Sequence, residues 1–167
     1  MATMRGIDVS SHQGKIDPTK LPQVEFCITK ATEGKTYVNP ECDRVVQLCR
    51  KAGLPWGFYH YARNNDAVAE ADFFVSSCWN YFGEGIPVLD WEEDQSVEWV
   101  NKFLQRVYDK TRVWCWVYAN AWRFDQGTVN RHCDRWVARY PNVLRPPLRC
   151  LPGTAHDKSF PIHVLFL

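Results

Sequence analysis

Residues Ile86-Pro87-Val88-Leu89-Asp90-Trp91-Glu92-Glu93-Asp94 decide how this chain is read. An apolar run climbs to a carboxylate, and a second carboxylate follows two positions later. Gly83 and Gly85 lie just upstream, so residues 86–90 suit a short buried strand. Side chains two apart on an extended chain share a side. Asp90 and Glu92 are therefore expected to face one site from one strand end. Two neighbouring carboxyls can divide acid and base work when their surroundings push their pKa values apart. Acidic residues also commonly end a strand and open a helix, and this segment alone leaves both readings open. A helix does follow, because Trp99, Val100, Phe103, Leu104 and Val107 form one apolar stripe.

The same strand-then-helix unit recurs outward in both directions. Upstream, residues 4–9 read as a strand ending at Asp8, residues 26–30 as a second, and residues 55–61 as an aromatic-rich third. Between them, Asn39 is expected to cap a helix with Pro40 in its first turn. Cys42, Val45, Val46, Leu48, Cys49 and Ala52 recur at helical spacing up to Gly53. Asp66 caps another helix, with Val68, Ala71, Phe74, Val75 and Cys78 on its apolar side. Downstream, residues 113–119 are apolar almost throughout, as a strand buried on both faces should be. A weaker helix spans residues 121–133, and residues 136–140 form a sixth strand. Repeated βα units imply a parallel sheet, and a closed (β/α)-barrel, irregular and TIM-like, is the economical arrangement. Catalytic groups of such barrels sit at the C-terminal strand ends. Asp8, Glu33, His60, Tyr61, Asp90, Glu92, Asn120 and Tyr140 all fall at or just past such ends.

The totals set limits. A length of 167 residues with 46% apolar content suits one packed domain. A formal net charge of +1 argues against electrostatic nucleic-acid binding. No apolar run approaches a membrane span. Residues 1–6 carry no basic-then-apolar leader, so synthesis in the cytoplasm and export by a route such as lysis are expected. Cys27, Cys42, Cys49, Cys78, Cys115, Cys133 and Cys150 are odd in number and irregularly spaced, without a C-x-x-C pair. They read as buried free thiols and not as a disulfide framework or a metal site. His12 and His60 read as hydrogen-bonded structural or rim groups. The eight Trp and seven Tyr are core residues by default, although aromatic rings also stack on sugar faces.

With these elements in place, six motifs resemble those of the glycoside hydrolase family 25 lysozymes, the Chalaropsis type. Gly6-Ile7-Asp8-Val9-Ser10-Ser11-His12-Gln13-Gly14 is similar to the family's opening. Phe26-Cys27-Ile28-Thr29-Lys30-Ala31-Thr32-Glu33-Gly34 resembles its second strand, and Gly57-Phe58-Tyr59-His60-Tyr61 its third. Val88-Leu89-Asp90-Trp91-Glu92 resembles the fourth. Val117-Tyr118-Ala119-Asn120 and Trp136-Val137-Ala138-Arg139-Tyr140 resemble the fifth and sixth. Each motif is weak alone, but all six occur in order over residues 4–141.

The resemblance implies a muramidase that cuts the β-1,4 bond from N-acetylmuramic acid to N-acetylglucosamine in bacterial peptidoglycan. It also implies phage-endolysin-like release onto the cell wall, and no metal or organic cofactor. On the matching positions, Glu92 is the catalytic acid, and Asp90 is the carboxylate that supports the developing positive charge. Asp8 belongs to the same set, and Glu33 joins it as an acidic residue of the rim. Tyr59, Tyr61, Trp91, Tyr118 and Trp136 fall in motifs whose aromatics line the groove, although Trp91 points opposite to its two acidic neighbours. The family is usually discussed in terms of assistance by the substrate's acetamido group, with a carboxylate nucleophile as the alternative.

Residues 142–167 depart from the family pattern. The run Leu144-Arg145-Pro146-Pro147-Leu148-Arg149-Cys150-Leu151-Pro152 suits neither a regular helix nor a central strand. The surroundings of Asp157 do not match the family's last aspartate. Residues 160–167 can supply one last strand. The chain thus reads as a catalytic barrel over residues 1–141 with a divergent tail, 142–167, of the same domain, its last one or two strands atypical or missing. A catalytically weak or inactive peptidoglycan-binding module is the competing function. Unpaired barrel edges would favour a homodimer.

Overall fold

A computed structural model describes residues 4–138 and 162–165. Its sheet contains β1 (Met4–Val9), β2 (Phe26–Glu33), β3 (Tyr37–Val38), β4 (Trp56–Tyr61), β5 (Ile86–Asp90), β6 (Trp116–Asn120), β7 (Arg135–Ala138) and β8 (Ile162–Leu165). The strand order is β7-β6-β5-β4-β2-β1-β8, with β3 antiparallel on β2 and every other pairing parallel. The sheet is a curled half-barrel. β7 and β8 are its outer strands, and no pairing joins them among the described residues. The expected barrel is thus seen as a partial one. The last strand expected in the tail appears as β8, in parallel register with β1 from Met4↔Ile162 to Ile7↔Leu165.

Period-two alternation sorts the sheet's side chains between two sides. One side is covered by α1 (Cys42–Ala52), α2 (Ala67–Cys78) and α3 (Val97–Thr111). Phe58, Leu89, Trp91, Val117 and Ala119 enter this helix-side core with Val46, Phe74, Phe103 and Leu104. On the β1–β2 part, Ile7, Val9 and Cys27 meet Val45 and Cys49 of α1. The other side is the concave one. Phe26, Ile28, Val88, Tyr118, Trp136 and Ala138 pack there into a smaller interior cluster. Gly57 lets β4 and β5 approach on this side, since a Cβ on it would stand 2.7 Å from the Ile86 carbonyl oxygen.

Local chemistry sets most helix ends. Asp66 accepts from the Ala69 amide at 3.0 Å and Ser96 from the Trp99 amide at 3.2 Å, starting α2 and α3. Gly53, at φ 65°, ends α1 in the left-handed conformation. At the start of α1, Asn39 Oδ1 accepts from the Glu41 amide at 3.3 Å, as a capping side chain does, while Glu41 itself makes no side-chain cap bond. Asn39 is buried and turned toward β2, where its Nδ2 donates to the Lys30 carbonyl at 2.7 Å. The helix expected over residues 121–133 is only α4 (Ala121–Phe124). Gly127, a poor helix former, packs against Val97 soon after it. Strand β6 begins at Trp116, later than expected. Trp114 leaves the strand to stack on Tyr108, with ring centroids 4.1 Å apart.

Six of the cysteines are buried free thiols; Cys150 lies outside the described residues, as do Tyr140 and Asp157. Among the described residues no helix is long and apolar enough to cross a membrane.

Candidate active site

Parallel register brings the concave residues of successive strands into one row. Lys30 of β2 pairs with Tyr59 of β4. Tyr61 of β4 lies beside Asp90 of β5, Asp90 beside Tyr118 of β6, and Tyr118 beside Trp136 of β7. Asp8 is the penultimate residue of β1, on the same side. At the C-terminal ends of these strands a cavity of about 350 Å³ is lined by Asp8, Ser10, His12, Lys30, Tyr59, Tyr61, Val88, Asp90, Glu92, Tyr118 and Trp136. Asp8, Asp90, Glu92, Tyr59, Tyr61, Tyr118 and Trp136 are thus brought together as the sequence predicts. Tyr118 and Trp136 meet edge to face, with centroids 4.7 Å apart.

Glu92 lies two residues past the end of β5, and the sheet holds it there by main-chain bonds. The Ala62 amide donates to the Asp90 carbonyl at 3.0 Å, and the Trp91 amide to the Tyr118 carbonyl at 2.9 Å. Arg123 Nη2 donates to the Glu92 carbonyl at 2.6 Å. The strand geometry expected from sequence therefore persists beyond the last strand residue, and both carboxyls face the cavity.

Electrostatics raise all three carboxyls. Burial is the main cause at Asp8; its own main-chain hydrogen bond opposes the rise, the Glu92 charge adds to it, and the result is a pKa of about 6. Burial, followed by the charges of Glu92 and Asp8, pushes Asp90 well above its ordinary range. Burial raises Glu92, against the lowering effect of Arg123. Asp8 Oδ2 and Asp90 Oδ1 are buried without a hydrogen-bond partner among the described residues. Burial, joined by neighbouring charge at Asp8 and Asp90, thus favours the protonated forms of these carboxyls, the form a general acid needs.

Two sequence assignments are corrected. Trp91 is fully buried at 0% exposure in the helix-side core, where its indole donates to the Gln95 carbonyl at 3.0 Å. Strand alternation sends it away from the two acids, so it is no groove aromatic. Glu33 does not line the cavity. Burial works to raise it, but hydrogen bonds from Lys30 and Arg63 outweigh burial and hold it below the usual carboxylate range. An ionised, ion-paired carboxylate belongs to the rim and is not a proton donor. Its partner Arg63 also pairs with Glu93, tying together the chain beyond β2, β4 and β5.

The sequence reading missed Lys30, Ser10 and Val88 as wall residues. Lys30 was detectable, since it shares strand parity with Phe26 and Ile28. Its ammonium lies 4.9 Å from the Tyr61 ring centre. Arg123 had no such signal, because only the return of the chain after β6 brings it behind Glu92. His12 lines the cavity, whereas His60 is a buried structural group as expected. Among the described residues no cluster of three or more His, Cys, Asp or Glu side chains is arranged to hold a metal.

The chain and its fold have counterparts among known proteins. The family described as Glycosyl hydrolases family 25 matches residues 7–150. An autolytic lysozyme of Clostridium acetobutylicum is 31% identical over 153 residues, covering 84% of this chain and 47% of that protein. The N,O-diacetylmuramidase of Chalaropsis sp. is 28% identical over 174 residues, covering 91% of this chain and 82% of that protein. The chain thus spans about half the length of the first and most of the second. A family GH25 lysozyme from Aspergillus fumigatus superposes with a TM-score of 0.72 at 25% identity, covering 87% of this chain and 80% of that one.

Proposed function

The chain belongs to the glycosyl hydrolases of family 25, and from that premise we propose that it is an N-acetylmuramidase, a lysozyme that hydrolyses the β-1,4 bond between N-acetylmuramic acid and N-acetylglucosamine in bacterial peptidoglycan. Its place of action would be the bacterial cell wall. The observation that carries the reading is the convergence of Asp8, Asp90 and Glu92 with Tyr59, Tyr61, Tyr118 and Trp136 on one open cavity at the strand ends. A saccharide site needs aromatic walls for sugar faces, and glycoside cleavage needs paired carboxyls.

In this reading Glu92 is the general acid. It gives its proton to the glycosidic oxygen as the bond from that oxygen to C1 breaks. Asp90 accepts the acetamido N–H through its unpartnered oxygen and faces the developing positive charge. Both contacts favour its ionised form. Binding of substrate therefore favours the proton on Glu92 and the charge on Asp90. The acetamido carbonyl oxygen then bonds C1, and water opens that intermediate with the Glu92 carboxylate as base. Asp8 keeps the cluster negative on the β1 side.

The test is clearing of peptidoglycan by wild type and by Glu92→Gln. Wild type is expected to clear it, and the substitution to lower the rate at least about 100-fold with the far-ultraviolet circular dichroism unchanged. Equal rates would remove Glu92 from the mechanism. Pelleting on cell walls without clearing by wild type would establish the competing binding module instead.

A further inference from the structure

The mechanism above leaves one buried cation without a role. Arg123 lies on α4, the single turn that follows β6, and is only 5% exposed. Its Nη2 donates to the Glu92 main-chain carbonyl at 2.6 Å. Its guanidinium carbon stands 5.5 Å from the Trp91 ring centre and 4.6 Å from that of Trp122. Its Nε is buried without a partner, and it forms no ion pair among the described residues. Burying a guanidinium without a carboxylate partner costs desolvation that an apolar side chain of similar volume would avoid. Stability alone does not call for a cation here. Its position directly behind the proton donor does.

We propose that Arg123 is a positioning residue for Glu92: its guanidinium holds the Glu92 main chain from behind and sets a fixed positive charge beside that carboxyl. The proposal rests on the reading of Glu92 as the proton donor. The guanidinium lies near two indoles, that of Trp91 in the core and that of Trp122, and these contacts favour a fixed orientation of its plane. Other groups surround the cavity. Asp8 comes from β1, Lys30 from β2, Tyr59 and Tyr61 from β4, Asp90 from β5, Tyr118 from β6, and His12 from the short helical turn after β1. Arg63 and Glu93 pair with each other at the rim. Among these charges it is Arg123 that draws the Glu92 pKa down against burial. The acid is thereby kept strong enough to release its proton to a weakly basic glycosidic oxygen.

The experiment compares wild type, Arg123→Gln and Arg123→Lys. It combines a pH profile of wall clearing with a carboxyl-carbon NMR titration, in which the Glu92 signal is assigned by its loss in Glu92→Gln. In Arg123→Gln the Glu92 midpoint should move up, and the alkaline limb of the kcat profile should move with it. Its kcat should fall roughly tenfold with KM little changed. Arg123→Lys should keep the midpoint near that of wild type while kcat still falls, because an ammonium lacks the planar fork. A folded Arg123→Gln with an unmoved Glu92 midpoint overturns the proposal. If Arg123→Gln does not fold, a folded Arg123→Lys with wild-type kcat overturns it. If wild type itself fails to clear walls, the muramidase reading fails, and the titration still decides whether Arg123 acts on Glu92.

Discussion

At the scale of single residues, the site is held at a cost in stability. Asp8 releases its proton near its ordinary value of 3.8 in the unfolded chain and near about 6 in the fold. Between these values the unfolded state is the more ionised, so rising pH favours unfolding. The stability linked to Asp8 is complete below the lower value and lost as pH passes through the upper one. Asp8→Asn removes the buried charge. At pH 7 it should raise stability by about 1–3 kcal/mol, seen as a melting temperature a few degrees higher, and the gain should vanish near the lower of the two values. Equal melting temperatures at both ends would show that the charge is well solvated in the fold. Cell-wall clearing should fall as stability rises, the usual trade at a functional site. Sequence alone pointed to Asp90 and Glu92 through strand parity, to Asp8 through its place at another strand end, and to their roles through the family resemblance. It could not assign their proton order, which depends on burial and on mutual distance.

Among elements, the joint between sheet and helices depends on one buried polar chain. His60 of β4 and Glu70 of α2 are both fully buried, at 0% side-chain exposure, with Nε2 and Oε2 2.9 Å apart. Burial keeps His60 below its ordinary pKa against the opposing pull of Glu70. A neutral ring that donates from Nε2 to Glu70 and accepts at Nδ1 from the Thr32 hydroxyl, 2.8 Å away, satisfies both nitrogens. Glu70 also accepts from the Arg63 amide at 3.0 Å, the Asn65 amide at 3.1 Å and the Asn65 side chain at 2.8 Å. This carboxylate therefore fixes the turn between β4 and α2, and with it the rim arginine Arg63. Glu70→Ala leaves an imidazole, two main-chain amides and the Asn65 side-chain amide without this partner. It should cost about 3–5 kcal/mol in urea unfolding, and a loss below about 1 kcal/mol would mean that the turn re-forms its bonds elsewhere. Most helices and strands were legible from period and caps, although the helix expected over residues 121–133 is only α4 and the short β3 was not expected. Asn39 does more than a local cap rule contains: its Oδ1 takes the Glu41 amide while its Nδ2 reaches the Lys30 carbonyl of β2. His60 was legible only as a structural group, because its partners come from two other elements.

For the molecule as a whole, the sheet curls around the cavity without closing on itself among the described residues. Each outer strand, β7 and β8, has a neighbour on one side there, and exposed strand edges invite pairing with another chain. We propose self-association through these edges. Sedimentation velocity should show a dimer that grows with concentration, and a monomer at every concentration would show the edges covered within the chain. The sequence by itself determined the alternation of strands and helices, the side of the sheet on which each strand residue lies, and the carboxyls that could meet, because these follow from the periodicities of the backbone and from capping chemistry. The tertiary structure alone decided that Lys30 and Arg63 pair with Glu33, and that Arg123 backs the proton donor. Those outcomes depend on which distant segments share a neighbourhood, and burial and Coulomb forces act through space without regard to distance along the chain.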